Sequence, residues 1–357
     1  MTTPTAAHSR RTLNLEGAAR AAVAGGVPLA VLIATGQTEF AAFALFSGFT
    51  AIFGAREAYR RRLVTVSVAG VLLVLCMLGG VTISLTGAPL WVEAVGLAAV
   101  LAVSVATLTT LRAIPAQPIF PVFAFVVCAL VPVRAGQLPL VVGIVLGGVA
   151  FAWLVAMSGS VVRRVWHGSH PHVFRPFMPG DRRTLAVLDT RAIWETVGLN
   201  VVGALVAGAI AMSIPNLGHP YWAVIGVVST LPAMRQRHSV QRALHRVVGT
   251  IGGTVVAVGL LLLHPAGWWI VVIVMLGQFG AEIFVARNYA VCLLFLTPMA
   301  LTVSWLSVPE APTALAVDRI VQTCIGAAVS LALLAVGRSV ERRRGRAIGA
   351  TSSIRTV

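Results

Sequence analysis

The sequence predicts an all-α polytopic membrane protein, with about twelve transmembrane helices arranged as two parallel six-helix repeats. Three observations carry this. The chain has 357 residues, 58% hydrophobic and only 11% charged, whereas a soluble domain carries about 25% charged residues. The apolar residues gather into runs of about 20, the length a helix needs to cross a hydrocarbon core of about 30 Å. The runs are apolar on all sides, not alternating as barrel strands are. Finally, the arginines are confined almost entirely to every second connection between runs.

Taken in order, the first half gives helices near 17–36, 39–54, 63–86, 89–111, 114–133 and 137–158. The second half gives 191–214, 220–234, 247–264, 267–286, 288–307 and 313–337. Glycine, proline or a charge cluster punctuates each boundary. Spans 39–54 and 220–234 are short and end in basic turns. Residues 1–158 therefore form the first membrane repeat with a short N-terminal lead. Residues 159–190 are a basic, proline-broken linker. Residues 191–337 form the second repeat, and 338–357 a basic tail.

The net charge of +16 does not indicate nucleic-acid binding, because the charge sits on short connections and not on a soluble domain. Place the N-terminus in the cytoplasm. The inside segments then carry Arg56 and Arg60–Arg62, Arg112, the linker arginines, Arg235–Arg246, Arg287 and the tail. The outside turns near Gly36, Gly87, Asn216, Pro265 and Pro309 carry none, and Arg134 is the exception. Such asymmetry orients multi-span proteins with the basic face inward. The expected location is a bacterial inner membrane, multi-pass, with both termini cytoplasmic and the lipid bilayer as the obligatory surrounding. Cys76, Cys128, Cys292 and Cys324 each lie in an apolar run without a CxxC, and read as small buried hydrophobes.

The halves share a grammar. FAAFALFSGFTAIFGAREAYRRRL in the first matches YWAVIGVVSTLPAMRQRHSVQRAL in the second, with Phe40 opposite Tyr221, Arg56 opposite Arg237 and Arg61 opposite Arg242. Six spans per half is even, so the repeats are parallel, and a substrate path is expected where they meet. Such a pseudo-dimer can work as a monomer or within a homo-oligomer.

At Tyr221, Trp222, Pro232 and the Arg246–Gly249–Thr250–Gly253 run, the sequence resembles the fusaric acid resistance-like family. ALAVDRIVQTCIGAAVSLAL, with Arg319 and Gly326, is similar to that family's closing helix. The family includes aromatic acid exporters and is related to plant aluminium-activated malate transporters. The resemblance implies a membrane transporter of organic anions and no enzyme. This chain lacks the sizeable cytoplasmic regions that many members carry after each membrane half.

Candidate site residues follow from charge inside apolar runs. Arg319 lies about two turns inside the last span, where a charge is costly and faces a cavity or partner. Its alternatives are a pair with Asp318 or snorkelling to the interface. Gln322 and Asn200 are further substrate-binding candidates, Asn200 alternatively bonding between helices. Glu282, four residues after Gln278, is the candidate proton-coupling carboxylate, or else an interfacial partner of Arg287. Arg56, Arg61, Arg235, Arg237, Arg242 and Arg246 form a candidate basic cytoplasmic vestibule that gathers organic anions, or contact lipid headgroups. Tyr221 and Trp222 read first as an aromatic belt. Gly249 with Gly253, and Gly143 with Gly147, form GxxxG helix-packing pairs.

No metal site or cofactor is expected. The linker histidines His167, His170 and His172 have no cysteine or carboxylate completing a set. No Walker sequence, GxSxG or HExxH is present. The expected function is an inner-membrane secondary transporter exporting small organic anions, aromatic carboxylates among them, coupled to protons. A passive anion channel and a non-transporting scaffold are the alternatives.

Overall fold

A computed structural model describes residues 14–166, 183–231 and 239–353. Twelve α-helices run through them: α1 (Leu15–Ala34), α2 (Ala41–Gly48), α3 (Tyr59–Thr86), α4 (Leu90–Leu111), α5 (Ile119–Leu130), α6 (Leu138–Trp166), α7 (Arg191–Ser213), α8 (Tyr221–Thr230), α9 (Ser239–Leu262), α10 (Gly267–Phe284), α11 (Tyr289–Ser307) and α12 (Pro312–Ser353). No strand occurs among the described residues. The molecule is an all-α polytopic membrane protein, as the sequence predicts. Arg235, Arg237 and the linker histidines lie outside the described residues.

Nine of these helices are long and apolar enough to cross a membrane. Their outward faces carry residues such as Val71, Leu75, Val95, Leu146, Val255 and Leu276, all exposed. Lipid is the solvent that tolerates such a surface. The other three expected spans are shorter: Thr38–Ile52, Ile119–Leu130 and Tyr221–Thr230. A helix of ten residues is only about 15 Å long. Every residue of α2 and of α8 is buried, so these are core half-helices enclosed by the long ones. Short segments at corresponding places in two halves mark binding sites in transporter folds.

Helix ends follow local chemistry. Gly87, with φ 55°, closes α3 in the left-handed conformation and passes its N–H back to Ile83. The Asn288 side chain accepts from the Ala290 and Val291 N–H groups and starts α11.

The helix pairings repeat. α1 packs on α2 as α7 on α8, α3 on α5 as α9 on α11, and α2 on α6 as α8 on α12. Between halves, α1 packs on α10 and α4 on α7, while α5 meets α8 and α2 meets α11. Raising each helix number by six, counted around the chain, carries these pairings into one another. At the meeting of the halves lies an aromatic cluster. Phe46 sits 5.0 Å from Phe123, Phe49 4.6 Å from Phe120, and Phe123 6.1 Å from Tyr221.

Tyr221 and Trp222 are thus core residues, 7% and 0% exposed, and not belt residues. The apolar mass of both halves covers α8, so its aromatic start never reaches the lipid interface. Cys324 is exposed where the sequence suggested burial.

The two glycine pairs behave differently. A Cβ at Gly249 would lie 2.5 Å from the Ala290 carbonyl oxygen, and one at Gly253 2.7 Å from that of Leu293. Here α9 and α11 approach at backbone distance. Gly143 and Gly147 face open space, and Gly148 instead meets Ser47 of α2. The packing face of α6 is displaced by one residue from the GxxxG repeat. Gly253→Leu should therefore cost about 1–3 kcal/mol through overpacking. Gly143→Leu should stay within about 0.5 kcal/mol. Thermal unfolding of the two variants in one detergent checks the contrast.

Candidate functional site

Between the halves lies a cavity of about 620 Å³. Its rim is built from the α2–α3 turn, the α4–α5 connection and the end of α10, and its far end reaches Ile225 of α8 and Arg319 of α12. Seven arginines line it: Arg56, Arg61, Arg112, Arg242, Arg246, Arg287 and Arg319. Two glutamates, Glu57 and Glu282, are the carboxylates among the lining. Charges of one sign on low-dielectric walls focus a field into the cleft. Phe49, Phe120 and Phe123 supply an apolar, aromatic wall.

The arginines differ in what they hold. Arg242 is engaged: its Nε donates to the Ser229 carbonyl at 2.7 Å and its Nη2 to Gln117 Oε1 at 2.8 Å. Its guanidinium also lies 4.4 Å over the Tyr289 ring. It fastens the start of α9 to the end of α8 and orients Tyr289. Tyr289 in turn accepts a 2.9 Å hydrogen bond from Arg246 Nη1. Arg246 is 2% exposed, and its Nε and Nη2 have no hydrogen-bond partner. Arg319 is 4% exposed, its Nε and Nη1 equally lack partners, and it rests 5.1 Å over the Trp222 ring. Buried guanidinium N–H groups without acceptors are costly. The unpartnered Nε and Nη2 of Arg246 are the side-by-side pair of a guanidinium, the pair whose spacing matches the two oxygens of a carboxylate.

Arg62 belongs to the scaffold. Its Nε and Nη2 donate to the carbonyls of Gly54 (3.0 Å) and Ala55 (2.9 Å), and its Nη1 reaches that of Ala156 (3.4 Å). This shapes the α2–α3 turn at the rim. Arg183, within the linker, ties the same turn by donating to Glu57 at 3.1 Å. Glu282 lines the cavity on α10, within electrostatic reach of Arg20 on α1. Arg20 donates from Nε to the Ala51 carbonyl at 2.9 Å, and its Nη1 and Nη2 have no partner.

The structure thus brings Arg319, Glu282, Arg56, Arg61, Arg242 and Arg246 to one cavity. It does not bring Asn200 or Gln322 there. Asn200 Nδ2 donates back to the Thr196 carbonyl of its own helix at 2.9 Å. Gln322 Nε2 is drawn to the Gly218 carbonyl at 2.8 Å, at the arginine-poor end of α8. Asp318 also turns to that end, pairing with His219 at 3.0 Å. Sequence reasoning missed Tyr289, Gln117, Phe120 and Arg20. Each sits near the end of an apolar run, where a polar or aromatic residue reads as interfacial.

Residues 202–333 match the family model described as Fusaric acid resistance protein-like. This bears out the resemblance read at Tyr221–Gly253 and at the closing helix; the match carries no link to the plant malate transporters. No curated protein and no solved structure matches the chain. The matched segment contains Arg242, Arg246, Glu282, Tyr289 and Arg319.

Proposed function

We propose that this membrane protein, whose second half is fusaric acid resistance protein-like, is a secondary transporter that exports small organic anions, aromatic carboxylates among them. One observation carries the reading: two buried arginines that line the arginine-rich cavity between the halves, Arg246 and Arg319, each hold guanidinium N–H groups without acceptors. Its volume of about 620 Å³ falls within the usual range for a small-molecule site, about 300–1,000 Å³. The phenylalanine wall offers a face to an aromatic ring, and the arginines receive the carboxylate.

The arginine-rich rim is cytoplasmic in this reading, by the positive-inside bias, so the cavity faces the substrate pool. The repeated pairings support a pseudo-two-fold axis along the membrane normal. Rocking of one half against the other would then move the site between the two faces. Glu282 is the proton carrier: protonated, it leaves the arginine field to the substrate; ionised, it competes for that field. The family description names resistance to an organic acid, an outcome that export would give.

Purified protein in liposomes tests this. The expected result is saturable efflux of an aromatic carboxylate that accelerates with an imposed pH gradient. Ohmic anion current without proton dependence would replace the transporter with a channel. Neither activity, across aromatic and aliphatic acids, would leave a scaffold. For the coupling residue, Glu282→Gln should retain substrate exchange and lose at least about nine-tenths of its acceleration by the gradient, as expected when a titrating carrier is removed. Unchanged gradient dependence would move coupling to another group.

A further inference from the structure

The arginine-poor ends of α8 and α12 hold a second constellation that anion transport does not use. His219 leads into α8, Asp318 lies on α12, and Glu310 lies in the connection before α12. One ligand atom from each of the three lies within 4.8 Å of the others, and His219 Nδ1 stands 3.0 Å from Asp318 Oδ2. We propose that these three side chains form a binding site for a divalent transition metal of the zinc type.

The chemistry fits the class. One neutral imidazole and two carboxylates cancel a 2+ charge, and three protein ligands with an open fourth position is a familiar zinc arrangement. Tetrahedral zinc with bonds near 2.1 Å separates its ligands by about 3.4 Å. The His219–Asp318 pair is already near that spacing. Glu310 is exposed, so its side chain is free to close the set by rotation. Magnesium prefers oxygen and water ligands and is disfavoured by the imidazole. The turns on this side of the molecule carry Arg134 as their one arginine; the opposing charge close to the site is Arg319, 5.1 Å over the Trp222 ring, and the two carboxylates outweigh it.

The surroundings hold the ligands in place. The His219 ring is stacked on Trp222 at 4.6 Å and 13°, which fixes the imidazole plane. His219 itself has φ 56°, a left-handed conformation uncommon for a residue with a side chain. Such backbone strain concentrates at functional sites. A Cβ at Gly218 would come within 2.6 Å of Asp318 Oδ2, so the glycine leaves the carboxylate its position. Gln322, one turn beyond Asp318, holds the Gly218 carbonyl at 2.8 Å. A bound ion would pin the start of α8 to α12, directly above the Trp222–Arg319 contact.

Calorimetry of Zn²⁺ with the purified protein tests the site without reference to transport. The proposal expects one saturable site of micromolar affinity or tighter, weakened at least about tenfold in His219→Ala and in Glu310→Gln. Glu310 is exposed, so its variant keeps the fold. Zn²⁺ should also raise the thermal midpoint of wild type more than that of either variant, with Mg²⁺ giving no such rise. Equal Zn²⁺ affinity in wild type and both variants would place the metal on other histidines and overturn the proposal. Absence of saturable binding would overturn it as well. In liposomes, Zn²⁺ applied on this side should slow efflux. That arm rests on the transport reading, and the binding arm stands without it.

Discussion

Replacing Arg319 by methionine should lower substrate affinity and transport by about 10- to 100-fold, the worth of one charge-assisted hydrogen bond. It should leave the protein as stable as wild type, or more so, in the absence of substrate. The two effects have one cause. Arg319 is 4% exposed, with Nε and Nη1 unpartnered, so in the empty protein it costs desolvation free energy that its cation–π contact with Trp222 offsets only in part. A methionine of similar length removes that cost. An arginine kept for structure behaves in the opposite way: breaking a buried pair costs about 3–5 kcal/mol. Arg62, which holds three backbone carbonyls, is the internal control, and Arg62→Met should unfold at a clearly lower temperature. Binding and thermal unfolding of the two variants, run side by side, separate the roles. A loss of stability in Arg319→Met with affinity unchanged would make Arg319 a scaffold residue.

A large loss of stability is expected where α8 meets α12. A Cβ at Gly326 would stand 2.5 Å from the Ala223 carbonyl oxygen and 2.8 Å from the Gly226 Cα. Both obstacles are backbone, so no rotamer change relieves them. Gly326→Leu should therefore cost about 3 kcal/mol or more, at the upper end of overpacking penalties, and should reduce the yield of folded protein. Gly259→Leu, on α9 with nothing within 4 Å, should remain within about 0.5 kcal/mol of wild type. Both are helical glycines in apolar runs, so a similar loss in each would show that helix propensity, and not the α8–α12 approach, sets the cost.

The fold class was legible because length and hydropathy are properties of a run, and nine runs are long enough to cross. The core half-helices were not. In α8 and α2 the apolar residues are the same as those of a lipid-facing span, and their enclosure depends on partners far away in sequence. The charged cavity residues could be picked out because a charge within an apolar run has few places to go. Neutral polar residues have more. Asn200 can satisfy its donor on its own helix, and Gln322 can reach a neighbouring turn. The GxxxG pattern identified the α9 face but not the α6 face, since Gly148, one position on, makes the contact with Ser47. His219 and Asp318 are 99 residues apart, and no local pattern brings them together.

A cavity that receives an organic anion on Arg246 and Arg319 must bind one in the purified protein. Equilibrium binding of a simple aromatic carboxylate to purified wild type, Arg246→Met and Arg319→Met tests it most directly. Saturable binding to wild type is expected, weakened about 10- to 100-fold in each variant, with both variants folded. Binding of equal strength in all three proteins would contradict it.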